Sequence, residues 1–233
     1  MLLALDTATT TASLAVYDIR ANQLLAEQTW EARRRQTQDL LTTAQQLLAQ
    51  LGLAPQALTA LAVTTGPGSF TGVRIGISTV KGIGLGLPLP PRVIGLPTLA
   101  VTAAPWLDLL QKTAPESLIC ALIQAGRGRY NWVFFAGNAV HWRPAVADHH
   151  SGTVTEIIAA LRTRNASTIW LAGECDEPLR DAVATLPQVV LLDPISSWRR
   201  AGQLARLAAL QLATGSVDDL ASLQPLYLRA PSS

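Results

Sequence analysis

The residues from Gly66 to Gly76 read GPGSFTGVRIG and follow directly on the apolar run LTALAVTT. A strand, a glycine turn and a helix start can cradle phosphate, because the free N–H groups of a first helical turn attract an anion. Ser69 or Thr71 can cap that turn with its hydroxyl. The spacing is not that of a nucleotide-triphosphate loop, since no lysine follows the turn, and it misses the dinucleotide fingerprint. Two readings therefore stand: an anion site, or a sharp connection that needs glycine for its backbone angles. Asp6 raises a similar pair. It closes the first apolar strand in LDTATTTAS, where a carboxylate can hold a metal ion and the hydroxyls of Thr7 and Thr9 can touch a phosphate. Alternatively, Asp6 and the threonines satisfy backbone groups of their own turn. Asp6, Thr7, Thr9, Gly66, Gly68 and Ser69 make up the candidate for a degenerate nucleotide site.

Other chemistries find less support. His141, His149 and His150 lie in one short region, with no HExxH and no pair at helical i, i+4 spacing, which argues against a metalloprotease. No GxSxG elbow is present, and Ser69 has no identifiable base. Cys120 and Cys175 form no CxxC, so neither a zinc knuckle nor a disulfide framework is indicated. No metal site and no catalytic residue is expected. Arg33, Arg34 and Arg35 read as a solvated helix start, or as a contact for RNA or an acidic partner, since positive charge there opposes the helix dipole.

The elements that must position these residues follow from periodicity. MLLALDTA, TASLAVYD and NQLLAEQTWE read as three strands, the second and third joined by a turn from Asp18 to Asn22. TQDLLTTAQQLLAQLG is helical, with Leu40, Leu41, Ala44, Leu47, Leu48 and Leu51 at helical spacing and Gly52 as a stop. LTALAVTT is a buried strand, SFTGVRIGISTVKGIGLG a helix and RVIGLPT a strand, with a further helix from about Thr98. The remainder repeats that order: SLICALIQA, NWVFFAG and AVHWRP as strands, VTEIIAALRTR as a helix, TIWLAGE, DEPLRDAVATL, QVVLLD, then the long helix SSWRRAGQLARLAALQLATG. A chain running βββαβα twice predicts an α/β protein of two similar lobes facing across a cleft, the plan of the actin-like, sugar-kinase-like ATPases. The expected division is residues 1–103 with 218–233, and residues 104–217. An ATPase of this plan needs a second acidic or phosphate-binding turn. In LIQAGRGRYN, Gln124 stands where a carboxylate is wanted, and a neutral amide neither holds a divalent cation in that way nor acts as a base. Arg127 and Arg129 can attract an anion there.

The glycine-rich helix carries a second message. Gly72, Gly76, Thr79, Gly82 and Gly86 fall within an arc of about 120° at roughly 100° per residue. Each interior glycine costs up to about 1 kcal/mol relative to alanine, so something must approach the backbone closely. Within the domain that is the sheet or a neighbouring helix; between chains it is a partner's helix.

Bulk properties set the bounds. The chain has 233 residues, of which 49% are hydrophobic and 15% charged, enough apolar content for a substantial core. A net charge of +2 is too mild for a protein that grips nucleic acid alone. No apolar window of about eighteen residues and no signal peptide is read, so a cytoplasmic protein without a membrane segment is expected.

LALDTATTTASLAVYD, GPGSFTGVRIGISTVKGIGLGLPLPPRVIGLPTLA and the ending LQPLYLR resemble the bacterial TsaB (YeaZ) family, strongly over roughly residues 1–100 and 223–229. The resemblance implies an actin-like fold with degenerate nucleotide machinery. It implies a non-catalytic subunit for threonylcarbamoyladenosine formation in tRNA, with no cofactor of its own, unless a nucleotide lies at a subunit junction. The implied partners are the catalytic paralogue TsaD, the small ATPase TsaE, a second copy when alone, and tRNA through the complex. TsaD is engaged through the first two helices, here about Thr37 to Leu51 and Ser69 to Gly86, which assigns the contact to Thr37, Leu41, Ala44, Gly72, Arg74, Gly76, Thr79 and Gly82. TQDLL departs from the family's HSExL, and QAGRGRYNW from its DARRGEVYW. The competing readings are an active actin-like ATPase or kinase and, with no nucleophile–base pair to support it, a peptidase.

Overall fold

The structure is a computed structural model that describes residues 1–32 and 36–228, and only the backbone of 36–38. Arg33, Arg34 and Arg35 lie outside the described residues, as does the side chain of Thr37. The chain forms two compact units: Met1–Thr98 with Arg199–Leu226, and Leu99–Trp198 with Tyr227 and Leu228.

The first unit is built on a five-stranded sheet. Its strands are β1 (Leu2–Asp6), β2 (Thr11–Asp18), β3 (Gln23–Glu31), β4 (Ala60–Gly66) and β5 (Arg92–Pro97), in the order β3-β2-β1-β4-β5. β1, β2 and β3 form an antiparallel meander, while β1, β4 and β5 run parallel. Such a mixed sheet needs both faces of its parallel part covered. The period of two separates the faces. Leu3, Leu5, Leu14, Val16, Leu61 and Val63 form one core with Leu40, Leu47 and Leu48 of α1 (Gln36–Gln50) and Val73, Ile77 and Val80 of α2 (Phe70–Gly86). The alternate residues Ala4, Asp6, Ser13, Ala15, Ala62 and Thr64 point to the other face, where α6 (Ala201–Ala213) packs with Ala201, Leu204, Ala205 and Ala208 buried. Small residues on both sides let helix and sheet approach closely.

A strap from Asp218 to Leu226 completes this unit. Asp218 bridges to Val93 and its carboxylate accepts from the Gly95 N–H at 2.7 Å. Leu220 lies over Gly84, Leu223 is buried against Gly95, and the Leu226 N–H donates to the Thr65 carbonyl at 2.7 Å. Gly84 and Gly95 are thus glycines because leucines of the strap occupy the space a Cβ would need.

The second unit repeats the plan. β6 (Leu118–Gly126), β7 (Arg129–Ala136), β8 (His150–Thr153), β9 (Ile169–Gly173) and β10 (Val189–Leu191) order as β10-β9-β6-β7-β8. On one face α3 (Thr98–Thr113) buries Leu99, Ala103, Leu107 and Leu110 against Ile119, Ala121, Val133 and Phe135. On the other, α4 (Val154–Arg162) and α5 (Glu177–Val183) cover Cys120, Leu122, Tyr130 and Trp132.

Two expectations are corrected. AVHWRP is not a strand: Ala139–His141 and Val146–Asp148 are 3-10 turns, and the third strand is His150–Thr153. Pro144 lacks a donor for a ladder, and Asp148 turns the chain by accepting from the Ala145 N–H at 2.7 Å. The expected lobe boundaries also move. The helix at 201–213 belongs to the first unit, not to a lobe of 104–217, and α3 belongs to the second from Leu99, not split at 103. In both cases the apolar stripe of the helix finds its matching sheet face there.

Candidate functional site

Asp6, the last residue of β1, lies on the α6 face of the sheet and is 2% exposed. Its Oδ1 accepts from the Ala8 N–H at 2.9 Å and from the Thr64 hydroxyl at 3.0 Å. Its Oδ2 accepts from Arg199 Nε at 3.0 Å, and Arg199 Nη2 donates to Thr9 Oγ1 at 2.7 Å. Arg199 is itself buried, just ahead of α6. A buried carboxylate needs a countercharge and full hydrogen bonding, and this chain supplies both. A divalent cation would have to displace the guanidinium, so the donor set does not suit a metal. Among the described residues, no group of three His, Cys, Asp or Glu side chains is placed to hold one.

The remaining candidates converge on the same node and turn inward. Thr7 is fully buried and its hydroxyl donates to the Gly72 carbonyl at 2.7 Å. Ser69 caps α2 by accepting from the Gly72 N–H at 3.2 Å, while its own N–H donates to the Ala8 carbonyl at 2.6 Å. A Cβ on Gly68 would collide with that carbonyl oxygen, so only glycine fits. Gly66 has φ +105°, precedes a cis peptide to Pro67 and faces the Leu226 carbonyl. The loop read as a phosphate cradle is a junction where β1, α2 and the strap meet, with the N–H groups of Ser69 and Gly72 used internally. Arg199 is a residue of this node that local sequence patterns miss. Its one signal is a pair of arginines in the first turn of the helix read from Ser196, where cations oppose the dipole unless something pairs with them; the helix itself starts only at Ala201.

The stripe of small residues on α2 divides. Gly72 is buried, and a Cβ on Gly76 would lie 2.5 Å from Thr7 Oγ1 and 3.2 Å from Val63 Cγ2. Ala44 on α1 is buried in the same core. Gly72, Gly76 and Ala44 are thus interior residues and are removed from the expected contact surface, because their own sheet already occupies the space beside them. At Gly82 and Gly86 a Cβ would meet nothing within 4 Å. Around Gly82 the outer face of α2 exposes Phe70 (53%), Arg74 and Leu85 (81%), with Thr79 half-buried and Leu41 of α1 exposed. The Arg74 guanidinium lies 3.7 Å from the Phe70 ring centroid.

In the second unit Gln124 is exposed at the end of β6, and its N–H donates to Glu174 Oε2 at 3.0 Å. The carboxylate missing from this turn in the sequence thus arrives from the end of β9. Gly126, Arg127 and Gly128 all have positive φ (74°, 53° and 68°), so the paired glycines serve a tight hairpin. Both thiols are held protonated at neutral pH. Burial raises the pKa of Cys120, and that of Cys175 to about 11, which leaves neither poised as a nucleophile.

Residues 23–167 match the family model described as TsaD: tRNA N6-adenosine threonylcarbamoyltransferase. The tRNA threonylcarbamoyladenosine biosynthesis protein TsaB of Escherichia coli is 36% identical over 135 residues, covering 56% of this chain and 53% of that protein. The chain thus spans about half the length of that relative. The protein of the same name from Haemophilus influenzae is 29% identical over 243 residues, covering 98% of this chain and 93% of its own. YeaZ from Pseudomonas aeruginosa superposes with a TM-score of 0.70 at 26% identity, over 97% of this chain and 99% of that one. The two mixed-sheet units are those of the actin-like fold. The chain therefore belongs to the TsaD: tRNA N6-adenosine threonylcarbamoyltransferase family, on its TsaB (YeaZ) branch.

Proposed function

We propose that this chain is a non-catalytic scaffold in the biosynthesis of threonylcarbamoyladenosine in tRNA, the pathway for which its E. coli and H. influenzae relatives are named. The observation that carries the reading is the Asp6–Arg199 pair. The carboxylate best placed for metal chemistry in the first unit is committed to a buried guanidinium of the same chain. Its partner is a TsaD-type catalytic paralogue, and in the cytoplasm the chain reaches tRNA and a TsaE-type ATPase within that complex. The docking surface is the outer face of α1 and α2, carried by Leu41, Arg74, Thr79 and Gly82 with Phe70 and Leu85 beside them. This face combines exposed apolar side chains with a gap at Gly82 that admits a partner's side chain. Alone, the chain pairs with its own copy through the same face.

Gly82→Trp tests this. The substituted side chain enters open space, so the purified variant unfolds within about 1 kcal/mol of the parent. It fails to co-purify with the TsaD-type protein of the same cell, whereas the parent forms a complex whose mass gives the stoichiometry. A normal complex with Gly82→Trp refutes the docking surface. Sustained ATP hydrolysis by the purified chain refutes the scaffold reading in favour of an enzyme.

A further inference from the structure

The edge of the second sheet carries a stacked aromatic and basic surface. Among the described residues β8 is an edge strand, paired only with β7, and Trp132 stands opposite His150 in the register. The Trp132 indole is buried, and the exposed His150 ring stacks on it with centroids 5.6 Å apart and planes at 22°. Phe134, two residues along the same face of β7, meets His150 edge-on at 6.3 Å. The guanidinium of Arg164 caps the Phe134 ring at 4.2 Å from its centroid. Arg164 thus stands at the Phe134 end, while Arg127 is exposed at the β6–β7 hairpin that opens β7, and Arg162 is exposed at the end of α4.

We propose that this edge of the second unit is a contact surface for single-stranded RNA. The inference rests on the reading that the chain serves tRNA modification. A flat ring backed by a buried indole presents a fixed, pre-ordered π face, which is what an unpaired base stacks on. Arginines at either end neutralise the phosphates of the bases they flank. Burial and the charge of Arg164 lower the His150 pKa, so the ring is neutral at physiological pH and acts by stacking, leaving charge to the arginines. An acidic protein segment would use the arginines but gains nothing from the stacked face. The nearby carboxylates are engaged locally: Asp148 accepts from the Ala145 N–H, and Glu156 from the N–H and hydroxyl of Thr153.

The test is fluorescence anisotropy of labelled oligouridylate RNA titrated with the purified full chain at low and at physiological salt. The parent binds. His150→Ala and Arg164→Glu, both exposed substitutions, each weaken binding about tenfold, and Arg164→Glu also flattens the salt dependence. Lys112→Glu, an exposed charge reversal on α3, leaves binding unchanged apart from a small uniform loss. Unfolding curves of all variants confirm that they fold. Absence of RNA binding by the parent, or equal binding by the His150 and Arg164 variants, overturns the proposal. Equal competition by polyglutamate also overturns it, in favour of an acidic protein partner. Capture of the TsaD-type protein is measured on the same variants and stays intact. A failure of the scaffold reading then shows in capture, and a failure of the RNA surface in anisotropy.

Discussion

Arg199→Met destabilises the first unit by about 3–5 kcal/mol, because it leaves the Asp6 carboxylate buried without its countercharge. The methionine keeps most of the aliphatic volume, so the loss reports charge rather than packing. Thr9 also loses the donor that holds it at 2.7 Å. In urea unfolding followed by far-ultraviolet circular dichroism, this appears as a lowered midpoint. In a thermal scan it appears as a fall of roughly 10 °C. Asp6→Asn combined with Arg199→Met is less harmful than the sum of the two single changes, with a coupling of about 2 kcal/mol. Simple additivity would mean that the pair does not interact, and that the strand-end carboxylate is neutralised by something else.

Gly76→Leu abolishes folding of the first unit or lowers its stability by about 3 kcal/mol or more. A Cβ at 2.5 Å from Thr7 Oγ1 cannot be accommodated without breaking the Thr7 bond to the Gly72 carbonyl, and Val63 closes the space beyond. The isolated protein is then found in the insoluble fraction, or melts early if recovered. Thr7→Ala introduced with Gly76→Ala relieves part of the damage, because it removes the clashing oxygen. The contrast with Gly82→Trp, six residues along the same helix, divides two roles that the sequence runs together: packing inside the unit and docking outside it. A soluble, normally stable Gly76→Leu protein would contradict the packing described.

That division also marks how far the sequence is legible. The apolar run of LTALAVTT and the helical spacing in α1 and α2 make the Met1–Thr98 part of the first unit readable almost element by element, since each segment has one dominant pattern, whereas α6 reads as part of the other lobe. The glycines are visible as a stripe, but a helical wheel does not say which arc meets the sheet. Only the strap and Thr7 decide it. Asp6 is visible as the chemically promising residue, whereas its partner stands 193 positions away, beyond the reach of any local pattern. The third strand of the second unit is misplaced in the sequence because AVHWRP alternates over a few residues, and Pro144 and the Asp148 cap then convert it to turns. Glu174 escapes notice for the same reason as Arg199: parallel pairing of β6 with β9 brings it to Gln124 from the neighbouring strand, 50 positions away in sequence.

The first unit is closed by Arg199–Leu226, which follow the Leu99–Trp198 body of the second along the chain. During translation, the ribosome exposes β1 to β5 well before it makes α6 and the strap, so that half waits with one sheet face bare and Asp6 without its countercharge. The Leu99–Trp198 segment of the second unit, which holds β6 to β10, α4 and α5, has its own sheet and helices by then. Nascent-chain maturation therefore runs from the middle of the polypeptide outward, and chaperones that shield incomplete sheets would find their substrate in the amino-terminal half.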